Sequence, residues 1–157
     1  MKSKAGFIEN IKRKIIAGSF TIIFLVSIYF IVSAVLIDAT LSRGLSELQE
    51  DTAYTYIILF YGVFFYGVPV SVISDSLAKS IAITTRQKEI YMTTILHLLA
   101  GSIVGLGSLI PAVTFLVIDR LIIRKPIHFR FGAIMFISLC AMTYLIDVSI
   151  KEVFGLS

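Results

Sequence analysis

Residues Tyr91–Ile118 read YMTTILHLLAGSIVGLGSLIPAVTFLVI, and the fold turns on whether these 28 residues form one long helix or two arms of a hairpin. About 20 apolar residues suffice for a helix to cross the hydrocarbon core of a bilayer, so the stretch is generous for one crossing. Its backbone is punctuated by Gly101, Gly105, Gly107 and Pro111, and its one ionisable group of note is His97. As a single span it carries the chain across the membrane. As a re-entrant segment it dips in and returns to the side it came from.

Three further runs have the same character. Ile15–Ile37 and Tyr54–Ile73 contain no charged residue, and Phe131–Ile150 carries Asp147 near its end. The 157 residues are 57% hydrophobic and only 15% charged, with a mean hydropathy of +0.95. A soluble domain is nearer one quarter charged, and a water-soluble fold of this length cannot hide so much apolar surface. Strand alternation and hairpin-turn chemistry are absent from the pattern, so a membrane barrel is not expected. The sequence therefore predicts an all-α chain forming one transmembrane domain over residues 1–157. We expect a four-helix bundle with spans at about 15–37, 54–73, 91–118 and 131–150. The alternative is three spans plus a re-entrant third segment.

Basic residues flanking the spans set orientation. Lys2, Lys4, Lys12, Arg13 and Lys14 precede the first run, which is too long for a signal-peptide core and is read as a retained span. Four spans with the N-terminus inside put nine of the 14 Lys and Arg in the cytoplasm, and both termini with them. Arg120, Arg124, Lys125 and Arg130 then lie outside, which conflicts with the rule. A re-entrant third segment removes the conflict and leaves only Arg43 and Lys151 outside. Four spans remain the preferred reading, because a re-entrant backbone must be shielded by protein and three short spans offer little shielding. Residues 1–14 have helical spacing of Phe7, Ile8, Ile11 and Ile15, suited to an amphipathic lead-in on an anionic leaflet or to a plain topogenic tail. Residues 38–53 suit a short interfacial helix, and Ser74-Asp75-Ser76 suits a helix N-cap.

Two constellations stand out. Gly101, Gly105, Ser108 and Ala112 share a helical face, so another helix can approach closely there, either within this chain or in a homo- or hetero-oligomer formed through span three. Tyr66, His97, Tyr144 and Asp147 fall at similar depth if the third segment crosses, and intramembrane polar groups usually face a bundle interior. That layer is either a satisfied structural network or a proton or substrate site. Pro69 predicts a kink near Gly67–Pro69. The run of aromatic residues Phe60, Tyr61, Phe64 and Phe65 is read as lipid-facing packing, since no carboxylate in the first two spans would draw a cation to an aromatic cage.

The stretch Tyr66-Gly-Val-Pro-Val-Ser-Val-Ile-Ser-Asp75 resembles a segment of an uncharacterised family of small multi-pass membrane proteins from Bacillus-type bacteria. The resemblance implies a multi-pass protein of the bacterial cell membrane and carries no activity with it. Ser76 and Lys79 match the Ser-x-x-Lys of acyl-enzyme hydrolases, but the companion motifs are missing. The two histidines, His97 and His128, lack metal-site spacing, one cysteine, Cys140, permits no internal disulfide, and the basic residues follow the spans rather than forming a nucleic-acid patch. The chain is accordingly expected to need no metal or cofactor, to bind no nucleic acid and not to be an enzyme. Its expected partners are the lipid bilayer and other membrane helices, as an accessory, immunity or stress-type component. The alternative is a small transporter or channel subunit using an intramembrane His/Asp layer.

Overall fold

A computed structural model describes the backbone of residues 2–40, 45–85, 88–124 and 129–154. Side chains are described over 6–35, 50–83, 88–123 (apart from 104 and 106) and 130–145. Every regular element among the described residues is helical. Helix α1 (Lys2–Thr40) is followed by α2 (Leu45–Tyr61), a π-helical segment (Gly62–Gly67) and α3 (Val68–Thr85). Next come α4 (Glu89–Val104), a 3-10 turn (Leu106–Ser108), α5 (Leu109–Arg124) and α6 (Phe129–Phe154). Two stretches are long and apolar enough to cross a membrane, Gly6–Val35 and Glu50–Ile83, and no more than a third of either apolar window is buried inside the protein.

The first two helices are longer than the apolar runs that mark them. Residues 2–14 do not form a separate surface helix. They extend α1 without a break, because nothing in them interrupts the backbone ladder, and carry Lys14 into the interior with Arg13 half-buried beside it. From Leu45 onward the expected interfacial helix is likewise the start of a second long rod, residues 45–85. Residues 41–44 lie outside the described residues. The break expected at Pro69 takes the form of the π segment just before it. Pro69 has no N–H to give its preceding turn, and Val68 donates instead to the Val63 carbonyl, five residues back. Ser74-Asp75-Ser76 is no cap. It lies inside α3, with Ser74 and Asp75 buried, since the helix that ends the second apolar run continues to Thr85.

The 91–118 stretch is not one helix. It breaks at Gly105, whose φ of 130° is open to glycine and strained for any side chain. After the turn, α5 runs back along α4. His97 stacks on Phe115 with ring centroids 5.5 Å apart, and a Cβ on Gly101 would lie 2.8 Å from that of Ala112. Ser108 fastens the turn, its hydroxyl donating to the carbonyls of Gly105 and Gly101.

The remaining helices pack around this hairpin. Lys14 of α1 meets Asp75 of α3 and Asp119 of α5, and Gly18 lets α1 close on Val63 and Phe64 of the π segment. Helix α6 runs antiparallel to α2: Tyr56 donates to the Leu139 carbonyl at 2.5 Å and lies 3.0 Å from Thr143, while Phe64 contacts Phe136 one level lower. The central core is Ile16, Ala17, Ile22, Tyr56, Phe60, Val63, Phe115, Ile122 and Leu139, with Cys140 packed against it.

Candidate functional site

Four charged side chains meet where α1, α3 and α5 converge. Asp119 accepts from Lys14 Nζ at 2.8 Å and from Arg13 Nε at 2.8 Å. Asp75 takes Lys14 Nζ at 3.0 Å and Arg13 Nη2 at 3.2 Å. Both Lys14 and Asp119 are 0% exposed. Two cations against two carboxylates make a neutral set, which is how buried charge is tolerated. The cluster binds the returning arm of the hairpin to the first and third helices.

On the hairpin side of this cluster lies a cavity of about 310 Å³. Its walls are the π segment with its flanks (Ile58, Val63, Tyr66) and the inner face of the hairpin (His97, Gly101, Phe115). The lining is apolar apart from a few groups. Tyr66 is satisfied by donating to the Ala100 carbonyl at 2.7 Å. His97 is only 3% exposed, and its Nδ1 has no hydrogen-bond partner among the described residues. Lys14 and His97 both contact the Phe115 ring, Lys14 Nζ lying 5.9 Å from its centroid. Cavity and charge cluster are thus neighbours across one side chain. The unpaired nitrogen leaves a buried hydrogen-bonding position unused, which native interiors rarely do.

The structure brings together only part of the polar layer expected from the sequence. Tyr66 and His97 share the cavity wall. Tyr144 does not join them: it follows Thr143 on α6, at the Tyr56 level of the neighbouring rod, and is 69% exposed. The expectation assumed that the 91–118 stretch crosses; with that stretch doubled back, α6 starts beside His97's end of the bundle and carries Tyr144 away from it. The side chain of Asp147 lies outside the described residues, as does His128. Gly101, Ser108 and Ala112 face one another within the hairpin and Gly105 is its hinge. The aromatic run does not face outward as a whole: Phe60 is buried and packs on Phe64, which contacts Phe136 in turn, while Tyr61 and Phe65 are exposed. Ser76 and Lys79 are both exposed.

The charge cluster was missed from sequence. Asp119 sits one residue beyond the apolar run, four after Phe115, and reads as the start of a loop. Its partner Lys14 is 105 residues away, beyond the reach of any local periodicity. The usable signal is an acid just past the end of two apolar runs, Asp75 and Asp119, against the Arg13-Lys14 pair just before a third.

The chain matches no protein-family model, no curated protein and no solved structure.

Proposed function

We propose that the chain is a non-enzymatic integral membrane protein that binds a small apolar molecule in the hairpin cavity. The ligand carries one hydrogen-bonding group, which His97 receives. The observation behind this reading is the unpartnered Nδ1 of a buried imidazole lining an otherwise apolar cavity of about 310 Å³. Ligand pockets are of this size and character, apolar with a few well-placed polar groups. The π segment forming one wall adds support, because π-helical turns are frequent at functional sites.

The membrane setting rests on several features. The two long apolar rods are mostly unburied, and large apolar side chains point outward along their length and along the hairpin, Ile103 being 82% exposed. Each hairpin arm has 16 residues, about 24 Å of helix, short of a core of about 30 Å. Three crossings with a re-entrant hairpin put twelve of the 14 Lys and Arg in the cytoplasm. In this topology the N-terminus is cytoplasmic and the C-terminus lies outside, unlike the four-span expectation. The location is a bacterial cell membrane, as the resemblance of Tyr66–Asp75 implies. Association with other membrane helices gains no support from the Gly101 stripe, which is occupied inside the hairpin.

The test uses 4-hexylphenol and hexylbenzene as probes on purified protein. The phenol should raise the unfolding temperature more than the hydrocarbon, and His97→Leu should erase that preference. Gly62→Phe provides a second arm: Gly62 lines the cavity, and a side chain there meets open space, so the variant should fold and lose both ligands. Equal response to the two probes, or binding that survives Gly62→Phe, would refute the assignment.

A second reading, proton-coupled passage of a solute, draws on the charge cluster adjoining His97. Acid-driven uptake in proteoliposomes that persists unchanged in Asp119→Asn would remove it.

A further inference from the structure

At the end of the bundle where α1 begins and α3 and α5 end, a vestibule of about 460 Å³ opens beside the charge cluster. Lys12, Arg13, Lys79 and Arg120 line it, with the acids Glu9, Asp75 and Glu89. Most of these charges are committed. Glu9 pairs with Lys12 at 3.7 Å, and Asp75 is held by Arg13 and Lys14. Arg120 is not: its Nε and Nη2 are buried and have no hydrogen-bond partner among the described residues.

These two nitrogens form one edge of the guanidinium, the edge that grips two oxygens of a single acceptor side by side. Arginine cannot shed its charge, and a buried charge without a partner is costly. Among the described residues no acceptor serves that edge, and an anion with two oxygens in a plane would suit the guanidinium. The surroundings favour phosphate. Lys79 adds a second cation to the lining, and exposed Ile123 adds an apolar surface to it. On the membrane reading given above, this end faces the cytoplasmic leaflet, where anionic phospholipids attract basic side chains.

We infer that the vestibule is a phosphate-binding site centred on the Arg120 guanidinium, with Lys79 as the second cation, which receives the headgroup of an anionic phospholipid. The site is separate from the hairpin cavity and needs no ligand there.

The experiment measures unfolding temperature of the full chain in nanodiscs of phosphatidylglycerol or phosphatidylcholine, and in lipid-free detergent with and without inorganic phosphate. The wild type should be more stable in phosphatidylglycerol by roughly 5–10 °C when lipid is about a hundredfold above its dissociation constant. Arg120→Gln should lose most of that gain. Arg130→Gln, at an exposed position carrying the same charge, should keep it. In lipid-free, phosphate-free detergent Arg120→Gln should be at least as stable as the wild type, since it removes an unpartnered charge; this separates ligand loss from misfolding. Stabilisation by phosphatidylglycerol alone identifies the headgroup as the source. Stabilisation of the wild type, but not of Arg120→Gln, by inorganic phosphate identifies the free ion. Equal losses in Arg120→Gln and Arg130→Gln, instability of Arg120→Gln without any ligand, or no response to either source would overturn the inference.

Discussion

Replacing Lys14 by Met tests whether the neutral charge cluster holds the hairpin in place. Lys14 Nζ lies 2.8 Å from Asp119 and 3.0 Å from Asp75, with no exposed surface. Its loss leaves Arg13 alone against two carboxylates, one negative charge in excess. Breaking a buried pair by removing one partner costs about 3–5 kcal/mol. Arg13 still touches both acids and is 27% exposed, so it can re-centre, and the lower figure of about 3 kcal/mol applies. For a chain of this size that is a fall of about 6–12 °C in unfolding temperature. The double variant Lys14→Met/Asp119→Leu restores the balance, leaving Arg13 with Asp75 at 3.2 Å and apolar volume in place of the deleted charges. Such replacements are often neutral or stabilising, so the double variant should unfold close to the wild type. The assay is a double-mutant cycle on detergent-purified protein, with Lys88→Met as a surface control. Additive losses in the double variant, or a Lys14→Met loss no larger than that of Lys88→Met, would refute the reasoning.

Three further outcomes follow from the hairpin and its supports. Gly105→Ala forces a side chain onto a φ of 130° and should cost about 1–3 kcal/mol, whereas Gly107→Ala, which meets nothing within 4 Å, should be close to silent; thermal unfolding of the pair tests this. Gly101→Ala crowds the Ala112 Cβ at 2.8 Å and should destabilise the hairpin, and adding Ala112→Gly should recover most of the loss in the same assay. Tyr56→Phe removes the bond to the Leu139 carbonyl, which keeps its bond from Thr143 at 2.8 Å, so the loss should be about 1 kcal/mol or less by chemical unfolding.

The sequence made the helical class legible, because long apolar runs separated by short charged loops admit few other solutions. It also held both candidates for the 91–118 stretch. The charges at 120–130 argued for the re-entrant form, and Gly105 marked the turn. Two things favour a straight span on sequence alone: three short apolar runs offer little shielding, and Gly and Pro are ordinary in membrane helices. Helices do not stop where hydrophobicity does: α1 continues back to Lys2, and the second rod spans residues 45–85. His97 was identifiable as a buried polar group from its position in an apolar run. Tyr144 was assigned to its layer through the direction of α6, which reverses once the third segment doubles back. The Lys14–Asp119 pair was out of reach for a different reason. It is a tertiary contact between residues that each look like ordinary flanking charges.

The side of the membrane that the chain reaches after α5 tests the proposed topology most directly. Single cysteines at Lys88, at Arg130 and at the C-terminus, in a Cys140→Ser background, can be labelled with a membrane-impermeant maleimide in intact cells and in inverted vesicles. The hairpin topology predicts that positions 88 and 130 label only in inverted vesicles and that the C-terminus labels in intact cells. Labelling of position 130 in intact cells, with the C-terminus reached only in inverted vesicles, would contradict it.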